Sequence, residues 1–146
     1  MIIENPNAIN VCLNPPTNYI TITFSKDVNY SSEFMIGETY YGIKETFTIK
    51  ANEKLKIYFK DSLKSCKRLF CFSSDSNVYF INSIDLSHFN LSNITNMDYM
   101  FYYVKSLESL DLSYLETSKV TSMSCMFEGF ESLKSLDLSN FNTKSV

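Results

Sequence analysis

A chain of 146 residues has the length of one ordinary domain, or of one small domain followed by a few repeats. With 45% hydrophobic, 15% aromatic and 20% charged residues, it is too apolar and too weakly charged for a disordered protein. The formal net charge is -3, and the basic residues form no cluster longer than Lys67-Arg68. The composition therefore argues against nucleic-acid binding through a basic face.

The N-terminal sixty residues alternate apolar and polar side chains with the period of two that is typical of half-buried strands. The alternation predicts strands at Ile20/Ile22/Phe24, Phe47/Ile49 and Leu55/Ile57/Phe59, and another around Phe34–Ile36 and Tyr40-Tyr41. The strands at Phe47/Ile49 and Leu55/Ile57/Phe59 are predicted to form a hairpin across Lys50–Glu53. We expect residues 1–60 to form a small N-terminal β unit that covers the edge of the region after it.

Four cysteines, Cys12, Cys66, Cys71 and Cys125, are too few and too scattered for a disulfide framework. The spacing of Cys66 and Cys71 fits neither a redox pair nor a zinc knuckle, so buried free thiols are expected.

The N-terminus lacks the charged and apolar regions of a secretion signal, and no stretch approaches 18 uncharged apolar residues. No transmembrane segment and no secretion signal are predicted.

From residue 84 the sequence repeats itself with a constant 26-residue period. The units that begin at Ile84 and Leu110 agree at 11 of 26 positions without a gap, and a third unit opens at Leu136. Upstream, the spacing of Cys66/Leu69/Phe70 matches that of Met97/Met100/Phe101, with about five extra residues around 73–77. The predicted repeat region therefore spans 61–146, divided into 61–83 (degenerate), 84–109, 110–135 and 136–146 (partial).

Each unit begins with a leucine-rich strand pattern. Residues such as Leu110 and Leu112, two positions apart, share one face of a strand. Strands that stack once per repeat unit would form a parallel sheet in which no unit is stable alone.

Each unit continues with a helical pattern, because apolar residues fall at positions i, i+3, i+4 and i+7. These residues are Met97/Met100/Phe101/Val104 and Met123/Met126/Phe127/Phe130. Thr95 precedes the first set, and Asp98 completes a capping-box pattern with it. The stripe is interpreted as core packing, and the fold class is predicted as an α/β repeat solenoid, leucine-rich-repeat-like, with one parallel strand and one short helix per unit.

The stretches IDLSHFNLSNITNMDYMF and LDLSYLETSKVTSMSCMF resemble the 26-residue repeat of BspA-type surface proteins, also called the mycoplasma-lipoprotein repeat. The resemblance covers residues 81–146 well and 61–80 loosely. It implies a leucine-rich-repeat-like solenoid on cell-surface or secreted proteins associated with adhesion, without catalytic residues. Ordinary leucine-rich repeats carry Asn or Cys where Phe89, Leu115 and Phe141 stand, so an asparagine ladder is not expected.

Candidate binding residues lie at the polar positions of the strand pattern. Asp85, Asp111 and Asp137 recur once in every unit, and neighbouring carboxylates in a sheet repel each other. Two interpretations stay open: hydrogen bonds to serine hydroxyls and loop amides offset the repulsion, or the carboxylates contact a cationic partner or a weakly bound divalent ion.

Other positions vary between units, as a recognition surface requires and as drift at solvated positions also produces. They are His88/Tyr114/Asn140, Asn90/Glu116/Asn142 and Leu91/Thr117/Thr143. Tyr102, Tyr103 and Phe72 lie off the predicted helical faces, where they would either anchor a partner or pack between units.

No known catalytic motif is present, and the single histidine, His88, has tyrosine and asparagine as its counterparts in the other units. We therefore predict no enzyme activity, cofactor or metal.

The leading hypothesis is a surface or adhesion module that binds a protein or glycan. Alternatives are an intracellular scaffolding repeat protein, or a truncated family member without a function of its own. Because Val146 stands eleven residues into a unit, we expect either that the chain is a fragment of a longer array or that it self-associates through an uncapped last repeat.

Overall fold

The computed structural model describes residues 2–4, 19–24, 28–30, 34–36, 39–41, 47–49, 51–52, 54–58, 63–71 and 81–146. Side chains are described for 21–23, 51, 52, 54, 63–71 and 81–146. Predictions that involve the following residues lie outside the described part: Cys12, Lys50, Glu53, Phe59, Phe72 and residues 73–77.

The described strands lie in the N-terminal part and at the start of the repeat region. They are β1 (Ile2–Glu4), β2 (Tyr19–Phe24), β3 (Val28–Tyr30), β4 (Phe34–Ile36), β5 (Thr39–Tyr41), β6 (Phe47–Ile49), β7 (Lys54–Tyr58) and β8 (Ile81–Asp85).

Four of these strands form an antiparallel sheet in the order β1-β7-β2-β8. The other four form two-stranded antiparallel pairs, β3 with β6 and β4 with β5. Strands β6 and β7 are therefore not paired with each other, which differs from the predicted hairpin. The reason is that β1 and β2 occupy both edges of β7, and β6 pairs with β3 instead.

The sheet joins the N-terminal strands to the repeat region through β2 and β8. Ile22 in β2 lies opposite Leu55 on one side and Ile84 on the other, and its side chain is buried. The register shifts between Thr23 and Phe24. The first strand of the repeats thus pairs antiparallel with the N-terminal unit, whereas a parallel partner was predicted from the next unit.

Successive units contact each other through three segments that we call ladder segments 1 (65–70), 2 (95–103) and 3 (121–130). Isolated parallel bridges connect Ser65 to Asn96 and Asn96 to Ser122. Alternate backbone amides of one segment donate to carbonyls of the next. These bonds are Cys66→Asn96, Arg68→Asp98 and Phe70→Met100 at 2.8–2.9 Å, then Met97→Ser122, Tyr99→Ser124, Phe101→Met126 and Tyr103→Glu128 at 2.8–3.0 Å.

The ladder segments are chains of tight turns, where the spacing of apolar residues predicts a helix. No helix occurs among the described residues. Carbonyls of Met97, Tyr99 and Phe101 accept bonds from amides three residues later, at 3.2–3.3 Å. The backbone takes a left-handed conformation at alternate donors, with φ near 55–60° at Tyr99 and Tyr103. In an α-helix the amides of these donors would bond to carbonyls of the same segment. Here they donate to carbonyls of the neighbouring unit instead.

Parallel hydrogen bonds therefore run mainly along the segments predicted as helices. The leucine segments around Leu110 and Leu136 are not strands. One backbone bond still joins them, from the Lys134 amide to the Glu108 carbonyl at 3.1 Å. The capping box at Thr95 and Asp98 is also absent. The Thr95 hydroxyl instead donates to the carbonyl of Lys64, the residue just before ladder segment 1, at 3.3 Å.

One apolar core runs through the repeats. It contains Ile22, Leu86 and Leu112, together with Met97, Met100 and Phe101 of ladder segment 2 and the adjacent Val104, and these last four have no exposed area. Phenylalanine rings stack along it, with Phe101 parallel to Phe70 at 5.2 Å and to Phe127 at 5.9 Å between ring centres. The first Met and Phe set is fully buried and agrees with its interpretation as core, whereas Met123, Phe127 and Phe130 of the second set are partly buried.

Candidate functional site

The candidate site is the corner that follows each leucine segment, which we call the Asp-Ser face: residues 85–88, 111–114 and 137–140. All three Asp side chains are exposed. In each corner a carboxylate oxygen Oδ1 accepts a bond from the amide two residues later, at 2.9 Å. The pairs are Asp85 with Ser87, Asp111 with Ser113 and Asp137 with Ser139. The repeated carboxylates therefore close identical turns.

Hydrogen bonding stabilises the charged form of these carboxylates. The Ser87 hydroxyl and amide lower the pKa of Asp85, and the Ser113 hydroxyl and amide lower the pKa of Asp111. The negative charge of Asp85 has the opposite effect on Asp111: it favours the protonated form and so raises the pKa of Asp111. The Ser139 amide and hydroxyl likewise lower the pKa of Asp137. Hydrogen bonds thus outweigh the repulsion between carboxylates, as one of the two interpretations requires.

The residue after each Asp-Leu-Ser turn differs between units and is exposed. These residues are His88, Tyr114 and Asn140. The Tyr114 side chain is 52% exposed, a large value that shows it has little packing against the rest of the chain. His88 Nδ1 lies 2.9 Å from the Ser87 hydroxyl oxygen, so the imidazole is held at the corner. Constant turns therefore present different side chains at equivalent places.

A second set of turns lies a few residues further on and was not identified from the sequence. Side-chain oxygens of Asn90, Glu116 and Asn142 accept bonds from the amides of Ser92, Ser118 and Lys144, at 3.0–3.1 Å. The sequence indicates three variable surface positions here, but their side chains share one role. The available signal was an Asn, Asp or Glu placed two residues before a polar residue, which is typical of side-chain-closed turns.

One of the three variable sets is not a surface in the first two units. Leu91 and Thr117 are 3% and 1% exposed, and Thr143 is exposed. The Thr117 hydroxyl oxygen accepts a bond from the Asn142 amide of the next unit, at 2.7 Å. Leu91 and Thr117 therefore belong to the packing between units, which corrects both interpretations of these positions, because each placed them on the solvated surface.

Asp98 is a carboxylate that joins two units. Its Oδ1 accepts bonds from the Ser122 hydroxyl and the Ser124 amide, at 2.5 and 2.9 Å, and its Oδ2 accepts one from the Asn96 side chain at 3.1 Å. Burial alone would raise its pKa, but these hydrogen bonds outweigh burial and lower it. Sequence reasoning missed this role because Ser124 stands at the equivalent position of the next unit.

Tyrosines beside ladder segment 2 contact each other and the next unit. The Tyr102 and Tyr103 rings lie 4.5 Å apart, and Lys105 Nζ lies 5.3 Å from the centre of the Tyr103 ring. A side chain at Gly129 would meet the Tyr103 ring at 2.8 Å. Tyr103 therefore packs between units, in accordance with one of the two predicted roles.

Three described cysteines are free thiols: Cys66 is buried, Cys71 is half-buried and Cys125 is exposed. Burial raises the pKa of Cys66 to about 12. The prediction of a buried thiol is therefore wrong for Cys125, which occupies an exposed left-handed position of ladder segment 3. Its hydrogen bond with Glu128 and partial desolvation raise its pKa, so the thiol is not activated as a nucleophile.

Within the described ranges, no cluster of three or more His, Cys, Asp or Glu side chains could hold a metal ion. Among the same residues, none forms a helix with the length and apolarity needed to cross a membrane.

The 26-residue units and the hydrogen bonds between them place residues 84–146 in the class of tandem-repeat proteins. Residues 64–146 match the family described as "Mycoplasma protein of unknown function, DUF285". The match covers more than half of the chain, which therefore belongs to this family. Comparison with curated proteins gives no match, and comparison with solved structures gives none.

Proposed function

We propose that the chain is a non-enzymatic binding module of the surface and adhesion type, which holds a protein or glycan partner on the Asp-Ser face. In this proposal residues 61–146 form a repeat solenoid that is leucine-rich-repeat-like and similar to the BspA-type repeats. Membership of the DUF285 family and the constant 26-residue period support a repeat architecture. Repeat proteins commonly bind through side chains that vary over a constant scaffold.

The observation that carries the proposal is the contrast between constant and variable residues in the Asp-Ser face. Equivalent Asp carboxylates close equivalent turns at 2.9 Å in three units. The next exposed residue is in turn an imidazole, a phenol and an amide, at His88, Tyr114 and Asn140. Fixed turns reduce the conformational entropy that binding would otherwise cost. Exposed tyrosine is also a frequent anchor in interfaces.

The test compares two tyrosine variants on cells, matrix proteins and glycan arrays. Tyr114→Ala removes the exposed ring of the Asp-Ser face and should reduce binding about tenfold or more, as for an interface anchor. Tyr102→Ala removes the same kind of side chain from another part of the unit and should leave binding within about twofold. Equal loss in both variants, or retention in Tyr114→Ala, would contradict the placement of the site.

Asp111→Asn separates the two roles of the carboxylate. The turn bond from the Ser113 amide survives because the Asn side-chain oxygen also accepts, whereas the negative charge is lost. A cationic partner would then bind more weakly, and a neutral glycan would bind as before.

The free thiols favour a second candidate, an intracellular structural or scaffolding protein, because oxidising compartments usually convert thiols to disulfides. Cys66, Cys71 and Cys125 are free among the described residues. Detection of the protein in the cytosolic fraction, assembled into large particles, would support this candidate over the surface module.

A further inference from the structure

Three tyrosine rings of ladder segment 2 form a continuous cluster. Tyr99 and Tyr102 meet edge to face at 5.3 Å between ring centres, and Tyr102 and Tyr103 lie 4.5 Å apart with an angle of 51° between the ring planes. All three side chains are half-buried. We call these rings the tyrosine cluster. It belongs neither to the Asp-Ser face nor to the buried core.

The backbone brings together two rings that an ordinary strand would separate. Consecutive side chains of an extended chain point to opposite sides. Tyr103 instead has φ of 59°, in the left-handed region that bulky side chains rarely adopt. Its amide donates to the Glu128 carbonyl of the next unit at 2.8 Å, so the neighbouring unit holds this conformation in place. The contact between Tyr102 and Tyr103 is thus a product of the stacked repeats, and strained backbone of this kind is concentrated at functional sites.

Contacts on both sides fix the two rings. The Tyr103 ring lies against Gly129, where even a methyl carbon would approach it to 2.8 Å. Tyr99 holds Tyr102 from the other side. Desolvation, the charge of Glu128 and a hydrogen bond with Tyr103 raise the pKa of Tyr102, so its phenol stays neutral at physiological pH. Because the hydrogen bond joins the two side chains at their hydroxyls, the ring carbons beside the oxygens also lie near each other.

Neighbouring phenols in this arrangement suit oxidative coupling. A one-electron oxidant takes one electron from each phenol, the hydroxyl protons pass to water, and two neutral phenoxyl radicals remain. The radicals combine through the ring carbons beside the oxygens to form one carbon–carbon bond. The hydrogens on these two carbons then move to the oxygens, which restores both phenols. The net change is the loss of two hydrogens, and holding the reacting groups together favours such a step strongly over reaction between separate molecules.

We propose that Tyr102 and Tyr103 are an oxidative cross-linking site, at which a one-electron oxidant such as a peroxidase intermediate or a photogenerated metal complex joins the two rings within one chain. The cross-link holds ladder segment 2 in the left-handed turn from which Tyr103 donates to the next unit. A cross-linked chain also has fewer conformations when unfolded, so coupling stabilises the stacked repeats. The site goes beyond the proposed binding function and does not depend on it.

The test oxidises the full chain at low concentration with a photogenerated ruthenium(III) complex, after exposed thiols have been alkylated so that they do not consume the radicals. Monomer is isolated by gel filtration and digested with trypsin. Mass spectrometry should show the loss of two hydrogens in the peptide 69–105, localised to the two neighbouring tyrosines, together with dityrosine fluorescence. Tyr102→Phe should abolish this product. Tyr114→Phe removes an exposed tyrosine outside the cluster and should leave the yield unchanged. The same product in Tyr102→Phe, or its absence from the wild type, would overturn the proposal.

Two further measurements separate the fold from mere adjacency in sequence. In urea above the unfolding transition the yield should fall severalfold, because the rings are no longer held together. Gly129→Ala displaces the Tyr103 ring and should also lower the yield in the folded protein. An unchanged yield in either case would show that the structure does not create the site, contrary to the proposal.

Urea unfolding tests the effect of the cross-link on stability. Coupled wild type should unfold at a higher urea concentration than before treatment, whereas Tyr102→Phe treated in the same way should show no such increase. A midpoint that does not rise in the wild type would contradict the stabilising role. Binding at Tyr114 is measured separately, so failure here leaves the proposed function standing.

Discussion

Ladder segments 2 and 3 have related sequences and different surroundings. Among the described residues, segment 2 is hydrogen-bonded to a neighbouring unit on both sides, and segment 3 on one side. Met97 and Phe101 accordingly have no exposed area, whereas Met123 and Phe127 are only partly buried. The difference teaches that burial in these repeats depends on the number of neighbours at least as much as on the residue itself, as expected for stacked units. Substitutions at equivalent positions measure that dependence.

The largest expected effect is at the stacked phenylalanines. Phe101→Ala empties a site between two parallel rings and should lower the free energy of unfolding by about 3–5 kcal/mol. Phe127→Ala removes a ring that is already partly exposed, and should cost roughly half as much. Urea unfolding followed by circular dichroism measures both. Equal losses would show that the two segments are packed equally well.

The next effect concerns Asp98 and the bonds that it accepts from the third unit. Asp98→Ala leaves the Ser122 hydroxyl and the Ser124 amide without their acceptor and should cost about 1–3 kcal/mol. Asp111→Ala removes a carboxylate that closes an exposed local turn, so its loss should stay near about 1 kcal/mol or below. The two variants, compared by urea unfolding, separate contacts between units from contacts within one. A larger loss in Asp111→Ala would break the comparison.

Asp98 should also make stability depend on pH. Because its folded pKa is lowered from about 3.8, its contribution is present above that value and is lost as the pH falls through the folded pKa. Wild type should therefore lose more stability than Asp98→Asn between pH 5 and pH 2. Asp85, Asp111 and Asp137 titrate in both proteins, so the difference between the two curves isolates Asp98. Parallel curves would mean that the Asp98 bonds are not formed in solution.

The last of these effects concerns Gly129, the counterpart of Tyr103. Gly129 has φ of 82°, and a Cβ there would lie 2.8 Å from the Tyr103 ring. Gly129→Ala should destabilise the protein by about 1–2 kcal/mol through backbone strain and ring displacement together. In a Tyr103→Gly background the ring contact is gone and only the cost of the left-handed backbone, about 1 kcal/mol, should remain. An unchanged cost in that background would show that the ring has no part in it.

Sequence alone predicted which residues are buried better than it predicted the backbone that buries them. The spacing of Met97, Met100, Phe101 and Val104 fits one face of a helix, and all four are indeed buried. The same spacing also arises in consecutive tight turns, and side-chain periodicity cannot distinguish them. Gly129 was a further indication in the sequence, because glycine is favoured where the backbone turns left-handed. The structure places it at such a position, with φ above zero.

The candidate site was predictable in part. The recurring Asp-Leu-Ser turns follow from the sequence period, and the serine partners of Asp85 and Asp111 follow from the preference of Asp for such turns. The contacts of Asp98 and Thr117 with the next unit could not be predicted, because they depend on the offset between stacked segments. The sequence separation between the donor amide and the acceptor carbonyl is five residues longer for Cys66 and Asn96 than for Met97 and Ser122.

This change of offset has a consequence for how the chain tolerates altered length. The same backbone bonds form on either side of ladder segment 2, although five more residues lie between segments 1 and 2 than between segments 2 and 3. Surplus residues therefore need not disturb the stacked segments when they are inserted between Cys71 and Ile81. A short epitope tag or fluorophore-labelling sequence placed there should leave the repeats assembled, and the natural sequence already contains such an insertion.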